Sequence, residues 1–310
     1  MNSEKASPFD YLEYSILRTI LTLLGIIPFS VRARIGEWIG LGFFYAIPRI
    51  RNRVIENIGY AFPDKGVEWR RLLAKKNLRM FGRQIAEFIQ TSYIDEKFFR
   101  KWFVPLPDSE SHQRIYERGG ICILGHLGNW EWHGFLAGHL AGHDIYTLVK
   151  RQRNPLTNRY VERMRNRAHM RFIYIDQNAF ITIGKLRKGG LVAFTSDQNA
   201  RGNGGFFPFF GRLASTYLGP ASVARNTKVP VYFVWSYRDK MGRLNFGFEE
   251  IERPDEIPVE DSERWEKAFT YRWVRLLEKH VLEHPEDYLW AHNRWKTQPE
   301  NPEEIWREFQ

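Results

Sequence analysis

The chain has 310 residues, 43% of them hydrophobic and 15% aromatic, including 11 Trp. That length and apolar content exclude a disordered polypeptide and allow one large α/β domain with a real core, or two small ones. The formal net charge of +10 favours acidic partners: phosphate head groups, an anionic membrane, an acidic carrier protein or nucleic acid.

The first elements are two apolar runs, residues 16–29 and 35–48, interrupted by Arg18 and Glu37. Neither reaches the roughly 18–20 clean apolar residues of a comfortable membrane span. The start is polar and lacks a small-residue cleavage site, so no standard signal peptide is expected. Basic residues flank both runs: Arg32 and Arg34, then Arg49, Arg51 and Arg53. This pattern fits helices lying at, or dipping into, an anionic membrane face. The alternatives are a span by the first run and an amphipathic pair packed on a soluble domain.

Residues 67–89 are charged, free of Pro and helical in pattern. From about residue 119, short β-like runs alternate with helical ones. The strands expected are 121–124, 145–149, 172–175, 191–195, 231–236 and 244–248. The helices expected are 130–141, 155–170, 180–188 and 217–226, with Gly189-Gly190 as a stop. A late helix, capped by Ser262, runs to about His284. The alternation implies an α/β fold with a central, mostly parallel sheet flanked by helices. Sites in such sheets gather at the carboxyl ends of strands. His126, Arg151 and Asp197 all fall just after expected strands, so they can converge.

The stretch Gly125-His126-Leu127-Gly128-Asn129-Trp130-Glu131 carries the strongest chemical signal. A histidine at a strand end, with a carboxylate one helical turn later, can be a general base with its orienting partner. The amides of Gly128 and Asn129 at the helix start can hold an oxyanion. A metal site is disfavoured, because adding His133 does not give the helical zinc-protease spacing and no cysteine ligand is near. His133, His139 and His143 read as packing or surface residues. Cys122, the one cysteine, excludes an internal disulfide and points to a reducing compartment. Inside an apolar strand it reads as a buried, inert thiol.

Residues 150–171 are strongly basic. At 100° per residue, Arg159, Arg163 and Arg167 share one face, which a solvated helix explains. Arg165 lies instead beside Val161, Met164 and Ala168, where a cation needs an anionic partner or ligand. Asp197 can pair with Arg165 or form a turn. No nucleic-acid motif accompanies the charge. The run Phe206-Phe207-Pro208-Phe209-Phe210-Gly211 can line an acyl channel or plug the core. The segment 285–296, with Tyr288, Trp290, His292, Arg294 and Trp295, reads equally as a site edge or a structural clasp.

In order and spacing, these pieces resemble the bacterial late acyltransferases of lipid A biosynthesis, within the lysophospholipid-type acyltransferase superfamily. The resemblance includes Asn57 with Ala61-Phe62-Pro63, the His126/Glu131 pair, Arg165-x-Arg167, Asp197-Gln198, Phe207 to Gly211, and the 285–296 signature. Glu131, in place of the aspartate usual in the glycerol-phosphate branch, and the lack of a Pro-Glu-Gly-Thr-Arg block favour the lipid A branch.

The resemblance implies a glycerolipid acyltransferase-like fold, with membrane-anchoring helices over 1–53 and a catalytic domain over 54–310. It implies transfer of a fatty acyl chain from acyl carrier protein to a hydroxyl of a hydroxyacyl chain on a lipid A precursor. It also implies work at the cytoplasmic face of the inner membrane, with no cofactor, no metal and no nucleic acid. His126 and Glu131 would be catalytic. Arg165 and Asp197 would bind substrate, with Arg167 the substitute should the count to Arg165 slip; Arg151 joins them only by its place after an expected strand. Gly128 and Asn129 would hold the oxyanion. The other readings are acylation of another glycolipid, such as a phosphatidylinositol mannoside, and a basic membrane- or nucleic-acid-binding protein without catalysis.

Overall fold

The computed structural model describes residues 6–104, 115, 117–141, 144–167, 169–176 and 179–309. His143 and Ala168 fall outside them, as does the side chain of His139. Among the described residues, five α-helices come first: α1 (Pro8–Ile26), α2 (Phe29–Ala46), α3 (Pro48–Ala61), α4 (Val67–Gln90) and α5 (Glu96–Trp102). The α/β part follows as β1 (Gly120–Leu124), α6 (Trp130–Ala141), β2 (Ile145–Val149), α7 (Pro155–Asn166), β3 (Met170–Tyr174), α8 (Ala179–Arg187) and β4 (Leu191–Thr195). It continues through β5 (Gly205–Phe209), β6 (Arg212–Thr216), α9 (Gly219–Thr227), β7 (Val231–Arg238), β8 (Leu244–Glu250), α10 (Ser262–Glu283) and α11 (Pro302–Arg307).

Six strands form the central sheet in the order β3-β2-β4-β1-β7-β8, with β5 and β6 a separate hairpin. Every pairing in the sheet is parallel except β7 with β8. All six expected strands are present. The sheet divides the core because side chains alternate along each strand. Ile121 and Ile123 of β1 join Phe233 and the α10 residues Trp265, Phe269, Trp273 and Leu277 on one face. Cys122 and Leu124 join Ile145, Met170, Ala193 and Val234 on the other. The second face carries the site.

Helix α2 lies against α4 at a small-residue crossing. A Cβ on Gly82 would sit 2.1 Å from the carbonyl oxygen of Gly36, and one on Gly40 would sit 2.0 Å from that of Leu78. Arg32, Ala33, Gly36, Gly40 and Phe44 are the buried side of α2. Val31, Ile35, Trp38 and Ile39 are exposed, as are Phe9, Leu12, Ile16, Ile20 and Leu23 of α1. Among the described residues no helix is long and apolar enough to cross a membrane.

Two local expectations are corrected, and a third, open between two readings, is decided. The cap of α10 is Asp261, whose side chain accepts from the Arg264 amide, rather than Ser262. Helix α7 stops at Asn166, and His169 turns the chain at φ 58° into β3, which starts at Met170. The phenylalanine run forms the β5–β6 hairpin, and Phe207 and Phe209 are fully buried in the main core. The run therefore plugs the core.

Candidate active site

Strand register assembles the first pair of residues. Leu124 of β1 lies opposite Thr195 of the adjacent parallel strand β4. Two residues past each strand end, His126 and Asp197 are again neighbours. Asp197 Oδ2 accepts from the His126 backbone N–H at 2.8 Å, and Oδ1 lies 2.6 Å from His126 Nδ1. A carboxylate only accepts, so Nδ1 carries the proton and Nε2 is the free base. The Gln198 side-chain amide donates to Nε2 at 3.3 Å. The Trp130 ring packs edge-on against the imidazole at 4.7 Å.

Asp197 is 2% exposed. Burial pushes its carboxyl up, but the charge and hydrogen bonds of His126 outweigh this and hold it below the usual range. Behind it lies the 285–296 segment, which acts as a clasp. Tyr288 sits beside Asp197, its phenol raised by burial and by that carboxylate. The guanidinium of Arg294, fully buried, donates to Thr216 Oγ1 at 2.6 Å and to the Ser215 carbonyl. His292 accepts from the Asn199 amide at 3.0 Å, and burial lowers its pKa to about 4. The clasp is tied to the first helices by two asparagines. Asn57 donates to the carbonyls of Trp290 and His292, and Asn77 to those of Glu286 and Tyr288.

Glu131 is therefore not the partner of His126, and Asp197 is not the partner of Arg165. Glu131 points across to α7, where Arg165 grips both its oxygens, one through Nε at 2.7 Å. One helical turn after the histidine, the glutamate sits on the α6 flank that faces α7. Burial would lower the Arg165 pKa, but Glu131 outweighs it and the pKa is raised. The guanidinium also lies 5.3 Å from the Phe172 ring.

The oxyanion assignment is corrected as well. The Gly128 amide donates to the Asp287 carbonyl at 3.0 Å, and the Asn129 amide to Ser236 Oγ at 3.0 Å. Both amides are thus occupied. Asn129 instead caps α6: its Oδ1 accepts from the Trp132 amide at 2.9 Å, and its Nδ2 donates to Glu87 at 2.8 Å. Glu87 is buried between Arg83 and Arg238, and Arg238 also grips Asp287. This ionic cluster pins the start of α6 and hence the residues after β1.

A cavity of about 270 Å³ opens beside His126, Glu131 and Arg165. Its floor is the sheet face carrying Cys122, Ile145, Met170, Ala193 and Val234, and α6 covers it with His133 and Gly134. Burial pushes the Cys122 thiol up to about 12, so it is an inert wall rather than a nucleophile. His133 is held neutral, its pKa lowered by burial to about 3, with Nδ1 unpaired and its ring edge-on to Phe246 at 4.8 Å.

Arg151 does not converge on the site. It pairs with Asp176 at 3.0 Å and stacks over Tyr174 at 3.6 Å, on the exposed side of β2 and β3. Its neighbour Lys150 lines the cavity instead. Arg167 opens onto a different pocket. The sequence reading carries Gln198 only within the Asp197-Gln198 pair and Lys150 only as the first residue of the basic segment 150–171. Gln198 stands next to Asp197 at a strand end, and that position was the available signal.

Sequence comparison extends over the whole assembly. The family described as "Bacterial lipid A biosynthesis acyltransferase" matches residues 3–297. The chain is similar to the lipid A biosynthesis palmitoleoyltransferase of Escherichia coli (strain K12), 27% identical over 288 residues, covering 90% of each chain. It is 25% identical over 305 residues to the lipid A biosynthesis acyltransferase of Haemophilus influenzae, covering 94% of this chain and 91% of that one. It is 24% identical over 291 residues to the lipid A biosynthesis lauroyltransferase of Escherichia coli, covering 91% and 90%.

Proposed function

The chain belongs to the bacterial lipid A biosynthesis acyltransferases, an acyl-transferring family, and from that premise we propose how and on what it acts. The reaction is transfer of a fatty acyl chain from acyl carrier protein to a hydroxyl of a hydroxyacyl chain on a lipid A precursor. The observation that carries this reading is the His126–Asp197 dyad opening onto a cavity with an apolar floor. The dyad suits removal of a proton from a hydroxyl, and the cavity suits a hydrocarbon chain.

Each proton has a place in the mechanism. Asp197 holds Nδ1–H, so Nε2 faces the acceptor hydroxyl and takes its proton as the oxygen attacks the thioester carbonyl. The imidazolium formed is stabilised by the carboxylate 2.6 Å away. The acceptor hydroxyl takes the place of the Gln198 amide on Nε2, and the freed Gln198 N–H and the Arg165 N–H groups not used by Glu131 donate to the oxyanion, replacing the occupied helix-start amides. Collapse forms the ester and expels the carrier thiolate, which recovers the proton from His126. Glu131 positions Arg165.

The exposed stripe Phe9, Leu12, Ile16, Ile20 and Leu23 falls within one arc of α1, and α2 adds Val31, Ile35, Trp38 and Ile39. We read this surface as the contact with the cytoplasmic face of the inner membrane, where the acceptor resides. The basic balance of the chain suits an anionic bilayer and an acidic carrier protein. The test is mass spectrometry of lipid A from cells with and without the gene, with transfer from acyl carrier protein measured in vitro. Loss of one secondary acyl chain is expected; an unchanged lipid A profile would overturn the reading.

A further inference from the structure

A second pocket, of about 260 Å³, lies between α1, the end of α4 and the last turn of α7. Three arginines and three tyrosines ring it: Arg18 and Tyr14 from α1, Tyr93 after α4, and Tyr160, Arg163 and Arg167 from α7 and its end. Among the described residues, none of these arginines has a carboxylate within ion-pair distance, whereas Arg165 between them on the sequence is paired with Glu131. The Tyr14 and Tyr160 rings meet edge-on at 5.9 Å. The electrostatic neighbours of the Tyr160 phenol are Tyr93, Tyr14, Arg18 and Arg167, so hydroxyls and guanidiniums share one space.

The bland account is cations in the last turn of a helix, favourable to its dipole. It covers Arg163 and Arg167. It does not cover Arg18, which comes from another helix and adds like charge to the same pocket. Three uncompensated guanidiniums repel one another unless an anion joins them. Their planar forks and the nearby phenols match oxygens that accept many hydrogen bonds. A carboxylate offers one charge, whereas a phosphate monoester carries about −1.5 to −2 at neutral pH.

We propose that Arg18, Arg163 and Arg167, with the phenols of Tyr14, Tyr93 and Tyr160, bind the phosphate monoester of a lipid. The inference rests on the acyltransferase reading for its context. Arg165 faces the catalytic cavity, and Arg163 and Arg167 face this pocket across the same helix end. The separation is about one helix diameter, ~10 Å. A glycolipid acceptor is longer than that, so its phosphate can lie here while the hydroxyl of one of its hydroxyacyl chains reaches the cavity that Arg165 and His126 line. The apolar stripe of α1, continuing through Ile16 and Ile20 past Arg18, sets the pocket at the level of lipid head groups.

The test uses the purified full chain in two arms. The first measures binding to phosphatidylcholine vesicles doped with phosphatidic acid or, at matched charge, with phosphatidylglycerol. The wild type should prefer the monoester, and the variant Arg18→Gln/Arg163→Gln/Arg167→Gln should lose that preference by about tenfold or more. Arg159→Gln, on the same helix but outside the pocket, should keep it. The second arm measures acyl transfer to a phosphorylated glycolipid acceptor and to its dephosphorylated form. The triple variant should raise KM about 10- to 100-fold for the first alone, with kcat retained. Loss in the second arm assigns the phosphate to the acceptor; loss in the first alone assigns it to the bilayer lipid. The same behaviour as wild type in both arms would overturn the site. Because the first arm needs no turnover, it still reads the site should the chain prove inactive on lipid A. The three arginines are surface residues, and a thermal melt matching the wild type confirms that the variant folds.

Discussion

His126 Nδ1 and Asp197 Oδ1 are 2.6 Å apart, brought together from adjacent parallel strands whose ends are in register. The orienting carboxylate is thus 71 residues away in the chain rather than one helical turn away. Asp197→Asn should preserve the fold and reverse the tautomer preference of His126. The expected result is a fall in kcat of about 10²–10⁴-fold with KM little changed. Steady-state kinetics on the carrier-bound donor check this; a raised KM at unchanged kcat would move Asp197 from positioning the base to binding substrate.

Glu131 and Arg165 form a largely buried, two-point ion pair at the mouth of the cavity. Removing either partner leaves the other uncompensated. Glu131→Gln or Arg165→Met should each cost about 2–4 kcal/mol, somewhat below the range for a fully buried pair because Arg165 keeps some solvent contact. The double variant should recover part of that loss. Urea unfolding of the four proteins in a double-mutant cycle measures the coupling, and additive losses would argue against the pair as a unit.

The cavity floor gives a handle on the acyl chain. A Cβ at Gly134 would meet the Met170 side chain at 2.3 Å, so Gly134→Ala drives that flexible side chain into the space below. Ala193→Leu fills the same floor directly. Both should shift preference toward shorter acyl donors by about tenfold, a few methylenes' worth of apolar burial. Competition between two carrier-bound chain lengths reads the shift. An unchanged ratio in both variants would place the acyl chain elsewhere.

His133 supplies a pH dependence with a definite sign. Its ordinary value is 6.5 and burial lowers the folded value to about 3. The folded state therefore binds fewer protons than the unfolded one below pH 6.5, and stability falls as the pH drops toward 3. The slope from this group is about 1.4 kcal/mol per pH unit. His133→Phe, which keeps the ring against Phe246, should flatten that slope. Urea midpoints at pH 7 and pH 5 compare the two proteins, and parallel losses would exclude His133 as the source.

The α2–α4 crossing offers a packing test far from the chemistry. Gly82→Ala would place a methyl 2.1 Å from the Gly36 carbonyl oxygen, and backbone cannot yield as a side chain does. A loss of about 2–3 kcal/mol is expected, with kcat retained in the folded fraction. Thermal unfolding checks it.

The amino-acid sequence by itself determined the elements and the chemistry they carry. Alternating apolar runs, Gly189-Gly190 and the β-branched strands marked six strands and a mostly parallel sheet, because periodicity and turn chemistry are local properties. It also placed His126 at a strand end and marked Arg165 as a cation needing a partner. The hairpin of β5 and β6 was not legible, since a phenylalanine run fits a channel or a core equally until its neighbours are known. Partner choice was not legible either. His126 sees a glutamate five residues on and an aspartate 71 residues on, and only the adjacency of β1 and β4 shows which one reaches Nδ1. The tertiary structure likewise occupied the Gly128 and Asn129 amides, turned Arg151 outward and set Arg18 beside Arg163 and Arg167. Side-chain type is written locally, whereas charge pairing and hydrogen-bond satisfaction depend on which distant elements come to lie side by side.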